Sequence, residues 1–220
     1  IEALQFLKRL SEDESGADIY GSGPLLDQLP FTWPFSRLVN DEEDVEAQIG
    51  RLAVEGVDFI RTYKNVPPEI IGKIVQTASE KGLSVTASPG RTTAAQACEA
   101  GVKVIEGLES FIEPAWVPNH NWKAVKGPTD RVRMWAYVDL NAPPVQSFIE
   151  KLLKNEVTVC PCILSVRRRT NLEEAVNDPY LDYMTLVMPY HKHLKNMLNP
   201  FGYSIGRRFL NKYLPVPTLN

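Results

Sequence analysis

The hydrophobic positions of the chain fall into two alternating rhythms. Three short apolar runs, residues 57–63 (VDFIRTY), 83–87 (LSVTA) and 102–107 (VKVIEG), have the length and β-branched content of strands. Between them lie two stretches with apolar residues at helical spacing. The first opens on Pro67-Pro68 and carries Ile70, Ile71, Ile74, Val75 and Ala78 before Gly82 stops it. The second, residues 92–100, is rich in alanine and ends at Gly101. The rhythm is β-α-β-α-β, and strands joined through helices lie parallel because a parallel pair needs a crossover connection. The central stretch therefore predicts an α/β fold built on a parallel sheet.

The flanks extend this pattern less regularly. Residues 1–14 predict an amphipathic helix with Leu4, Leu7 and Leu10 or Phe6 on one face, and residues 17–22 a strand ending at Gly21, Ser22 and Gly23. Residues 25–38 read as a loop whose aromatics, Phe31, Trp33 and Phe35, pin it to the rim of the sheet. Asn40 is expected to cap a helix with Asp41, Glu42 and Glu43 in its first turn and Val45, Ile49, Leu52 and Ala53 facing inward. Downstream, residues 111–131 form an irregular insertion holding Trp116, His120 and Trp122. A helix over 143–155 is expected to bury Phe148, Ile149, Leu152 and Leu153, and a strand over 157–166 follows it. That makes about five strands, or six with residues 132–138 (VRMWAYV), against the eight of a closed (β/α) barrel.

Composition narrows the class. At 220 residues the chain is long enough for one sizeable core, and a single domain over 1–220 is expected. A net charge of −3 argues against nucleic acid as a partner. No apolar run approaches the roughly 20 residues of a membrane span. The chain begins at Ile1, and we read it as a segment of a longer polypeptide, so its start does not indicate a compartment.

In a parallel α/β sheet the chemistry collects where strands end. Here those ends carry Arg61, Thr62 and Tyr63, then Ala87 and Ser88, then Glu106 and Gly107, all expected at one mouth. With Arg91 and His120 from neighbouring loops, the candidate ligand-binding residues are Arg61, Tyr63, Ser88, Arg91, Glu106 and His120. Their guanidiniums suit a carboxylate or phosphate. Arg167, Arg168 and Arg169 follow the last strand, where a solvated loop is the preferred reading. A phosphate cradle at residues 21–24 is disfavoured because Pro24 lacks an amide donor. Cys160 and Cys162 suggest a soft metal or redox pair, but burial as small apolar side chains is the preferred reading. His191 and His193, two apart, point to different faces of a helix and do not share a metal.

The run from Gly56 to Ser110 resembles the middle of a metal-dependent amidohydrolase, a TIM-barrel hydrolase of the imidazolonepropionase and prolidase-like branch. Members typically read G-x-D-x-I-K, V-x-A-H and I-E-H at these three strands, with both histidines binding zinc or a similar ion. Arg61 stands at the lysine position, Ser88 at the first histidine and Gly107 at the second. The resemblance implies a partial TIM-like barrel without its first and last strands, the remainder coming from a longer chain or a partner. It implies hydrolysis of a C–N or C–O bond of a small molecule by metal-activated water, with any metal held by residues outside this chain. The alternative is a non-catalytic relative that binds a small anionic ligand through Arg61, Arg91 and Tyr63, or a protein partner.

Overall fold

The structure is a computed structural model that describes residues 5–6, 8–9, 18–33, 35–125, 127–163 and 166. These all fall in the first of the two units into which the chain divides, Ile1–Arg167.

Six strands form one sheet in the order β2-β1-β3-β4-β5-β6, and every neighbouring pair is parallel. They are β1 (Leu26–Asp27), β2 (Arg37–Leu38), β3 (Phe59–Thr62), β4 (Ser84–Ala87), β5 (Val104–Glu106) and β6 (Thr158–Cys160). The fold is α/β, and an open parallel sheet with β3 to β6 in sequential order is consistent with part of a (β/α) barrel. The predicted helices appear as α1 (Glu42–Val54), α2 (Pro68–Glu80), α3 (Ala94–Glu99) and α5 (Pro143–Lys154). Right-handed crossovers between sequential strands put their helices on one face of the sheet. There Ile49, Leu52, Ile60, Ile74, Ala97 and Ile105 form a core with no exposed surface. The other face of β3 to β5 carries Phe59 and Val104 at one end and the polar side chains Arg61 and Glu106 at the other, with Ser84 and Thr86 between them on β4.

Local chemistry sets the element ends. Pro68 begins α2, and a capping box between Thr93 and Gln96 begins α3. Gly101 turns the chain out of α3 at φ 95°, and a Cβ there would meet Val75 Cγ1 at 3.2 Å. The cap of α1 is Asp41 rather than Asn40. Asp41 Oδ1 accepts from the Asp44 N–H at 2.9 Å, while the Asn40 N–H donates back to Asp44 Oδ2.

Several expectations are corrected. Residues 18–25 form no strand, because Asp58 takes the backbone of Gly21: the Gly21 N–H donates to Asp58 Oδ2 at 2.7 Å, and the Asp58 N–H donates to the Gly21 carbonyl at 2.9 Å. The sheet instead begins with β1 and β2, both inside the expected loop. Of the aromatics there, Trp33 and Phe35 stack on each other at 5.7 Å, and Phe35 stays exposed. Residues 132–137 are helical, the end of α4 (Pro128–Arg133) and a 3-10 turn over Met134–Tyr137, since Pro128 starts a helical segment whose buried residues Val132 and Met134 also satisfy a strand pattern. Helix α5 buries Val145 and Phe148, while Leu153 is exposed. The last strand is three residues long. The expected helix over 1–14 is described only at four residues, all helical. Arg167, Arg168, Arg169, His191 and His193 lie outside the described residues.

Candidate functional site

Strand alternation places the first polar cluster. Ile60, Val85 and Ile105 turn into the helix layer, so Arg61, Thr86 and Glu106 take the opposite face. The register pairs Arg61 with Thr86 and Thr86 with Val104, which sets Ser88 beside Glu106 two residues further on. Three donors then meet on one oxygen. Arg61 Nε and Nη2 lie 3.1 and 2.5 Å from Glu106 Oε2, and Ser88 Oγ donates to the same atom at 2.8 Å. Ser88 is buried and the Glu106 side chain only 14% exposed, so the carboxylate is held by protein donors more than by water.

Beside this cluster, at the same strand ends, is a cleft of about 420 Å³. One wall is the turn after β4, from Pro89 to Thr93; the other is the segment from Glu109 to Pro114, with Arg131 of α4 behind it. Backbone contacts fix these walls. A Cβ on Gly90 would stand 2.6 Å from the Lys64 carbonyl oxygen, so only glycine allows the approach, and the Arg91 N–H donates to that oxygen at 2.7 Å. Thr92 Oγ1 donates to the Val66 carbonyl, and Ser110 Oγ to the Pro89 carbonyl.

The cleft carries charge of both signs. Lys64 Nζ pairs with Glu109 Oε1 at 3.3 Å. The half-buried Arg131 donates from Nε to the Glu109 carbonyl at 2.8 Å and from Nη2 to the Ile112 carbonyl. Burial pulls the Arg131 guanidinium below its ordinary range, and the charges of Glu109 and Glu113 pull it back.

Of the candidate residues, Arg61, Ser88 and Glu106 are brought together. Tyr63 sits half-buried with Lys64 Nζ 5.9 Å from its ring centre. Arg91 is exposed and donates to Gln28 Oε1 at 3.3 Å. His120 packs on Tyr137, ring centres 4.5 Å apart, and lines neither the cleft nor the cluster. Lys64, Glu109 and Arg131 escaped the sequence reading because they come from three separate segments. The one signal was Lys64 directly following a strand end.

The zinc or similar ion implied by the amidohydrolase resemblance does not fit these residues. Arg61 brings a permanent cation to one ligand position and binds the nearest carboxylate oxygen itself. Gly107 adopts φ 83°, and a Cβ there would lie 3.0 Å from Glu109 Oε2, so a carboxylate fills the space a histidine would need. Among the described residues no three His, Cys, Asp or Glu side chains group to hold a metal. No helix among them is long and apolar enough to cross a membrane.

No family model matches the sequence, and no curated protein matches it. Among solved structures the chain is similar to an uncharacterized protein at 16% identity and TM-score 0.42, covering 70% of this chain and 50% of that one. It is similar to an amidohydrolase at 15% identity and TM-score 0.42, covering 70% and 51%. It is also similar to A. niger ochratoxinase at 16% identity and TM-score 0.40, covering 66% and 45%. The chain spans about half the length of these structures.

Proposed function

We propose that this chain is a non-catalytic, small-molecule-binding relative of the amidohydrolases, taking a small ligand with an anionic group in the cleft at the ends of β3 to β5. The observation that carries the reading is the half-buried Arg131 facing, with Lys64, a cleft of about 420 Å³, a size in the usual range for small-molecule sites. Desolvation of a guanidinium is relieved by an anion within hydrogen-bond reach. Glu109 and Glu113, which also line the cleft, would accept from a cationic or donor group on the same ligand. The Arg61–Glu106–Ser88 cluster, whose groups pair with one another, does not line the cleft.

The test is a thermal-shift screen of the purified chain against small carboxylates and amino acids, repeated on Lys64→Met and Arg91→Ala. The reading expects a ligand whose stabilisation is lost in Lys64→Met and kept in Arg91→Ala. The reverse result would move the site to Arg91 and Tyr63. A hydrolytic reading requires metal ligands from outside these residues. Near-stoichiometric zinc retained by this chain after removal of excess, with hydrolysis of an amide or lactone, would replace the proposal.

A further inference from the structure

A strand carrying Cys160 and Cys162 is expected to bury them, yet Cys160 is exposed and Cys162 half-buried, at the end of β6. Their sulfurs stand 3.9 Å apart. That is nearly twice the roughly 2.05 Å of a disulfide. It is the contact of one thiol hydrogen-bonded to the other, and it leaves both sulfurs within reach of a single ion.

The pair is held in this arrangement by its backbone. The Gly107 N–H donates to the Cys160 carbonyl at 2.9 Å and the Leu108 N–H to the Pro161 carbonyl at 3.4 Å, tying the segment to the end of β5. Pro161 fixes the middle φ, and Cys162 turns at φ 51°. Glu106 acts electrostatically on Cys162, and its negative charge favours a cation beside the pair. The third thiol is separate, since Cys98 is buried and donates to the Lys151 carbonyl at 3.6 Å.

We propose that Cys160 and Cys162 form a two-thiolate site for a soft, thiophilic cation of the Cu(I) type. Thiolates select such ions, and a monovalent soft ion is satisfied by few ligands where a hard divalent ion is not. Binding is ligand exchange: two S–H bonds break, two metal–sulfur bonds form, two protons leave to solvent and the ion keeps its oxidation state. The site is independent of the ligand cleft.

The experiment is an anaerobic titration of the fully reduced chain with cuprous ion against a coloured Cu(I) chelator. One equivalent should be withheld from the chelator by the wild type and by Cys98→Ser. Cys160→Ser and Cys162→Ser should each bind about a hundredfold more weakly or worse, the loss expected when the second of two linked contacts is removed. Should Cys162→Ser fail to fold, Cys160→Ser, at an exposed position, decides alone. Wild-type affinity retained in Cys160→Ser, or no copper withheld by the wild type, would overturn the site.

Discussion

Glu106 is the residue on which the polar cluster of the sheet is organised, and Glu106→Ala is the most informative perturbation. Its Oε2 accepts three hydrogen bonds, from Arg61 Nε, Arg61 Nη2 and Ser88 Oγ. Hydrogen bonds to charged groups are worth about 1.5–3 kcal/mol each before screening. The Arg61 side chain is 37% exposed and regains water when the carboxylate is removed, so its two bonds are discounted together to about 1 kcal/mol. Ser88 is buried, and losing its acceptor costs about 1–2 kcal/mol. The sum predicts a loss of about 2–3 kcal/mol for Glu106→Ala, and about 1 kcal/mol each for Ser88→Ala and Arg61→Met. Urea unfolding followed by circular dichroism measures all three, and the Ser88→Ala/Glu106→Ala double variant measures coupling. The double variant should be close to Glu106→Ala alone, since both changes delete the same bond. A Glu106→Ala protein as stable as the wild type, or fully additive losses, would refute the account of the cluster as one hydrogen-bonded unit.

Three further predictions follow from separate parts of the structure. Gly107→Ala should cost about 1–2 kcal/mol from its positive φ, and more for displacing the Glu109 carboxylate 3.0 Å away, while Gly50→Ala in α1, with nothing within 4 Å of the new Cβ, should be neutral or stabilising; thermal unfolding of both variants decides. Burial raises the Asp58 pKa, but the Lys8 hydrogen bond and the Gly21 N–H outweigh it, so the folded value lies below the ordinary 3.8. The stability it contributes is therefore full above the unfolded value and lost as pH falls through the folded one, and Asp58→Asn should flatten the acid limb of a stability–pH profile. Alkylation at neutral pH, mapped by mass spectrometry, should modify the exposed Cys160 first, then Cys162, then Cys98, because burial pushes the last two thiols up; early labelling of Cys98 would contradict the packing around α3.

Where apolar periodicity was strong, the sequence was sufficient. The three central strands and helices α2 and α3 lie where the runs around Ile60, Ile74, Ala97 and Ile105 place them, because a residue facing an apolar layer must be apolar whatever its distant neighbours are. The pattern misled where it was short. The run at 132–138 satisfies a strand and a helix equally, and Pro128 decided for the helix. Residues 17–22 looked extended, but the backbone of Gly21 pairs with the side chain and the backbone of Asp58, 37 positions away. The thiols of Cys160 and Cys162 lie at the end of β6, where all three strand residues are exposed and nothing in the local pattern marks that exposure.

The sequence by itself determined that the chain is α/β with parallel strands, and that Arg61, Ser88 and Glu106 stand at the ends of three of them, because strand period and crossover length are local properties. Only the tertiary structure decided what those ends do. Register brought Arg61 and Ser88 onto one oxygen of Glu106, and the packing of the β4–α3 turn and α4 against Lys64 opened the cleft with Glu109 and Arg131. Those contacts join residues tens of positions apart, and no periodicity along the chain carries their distance.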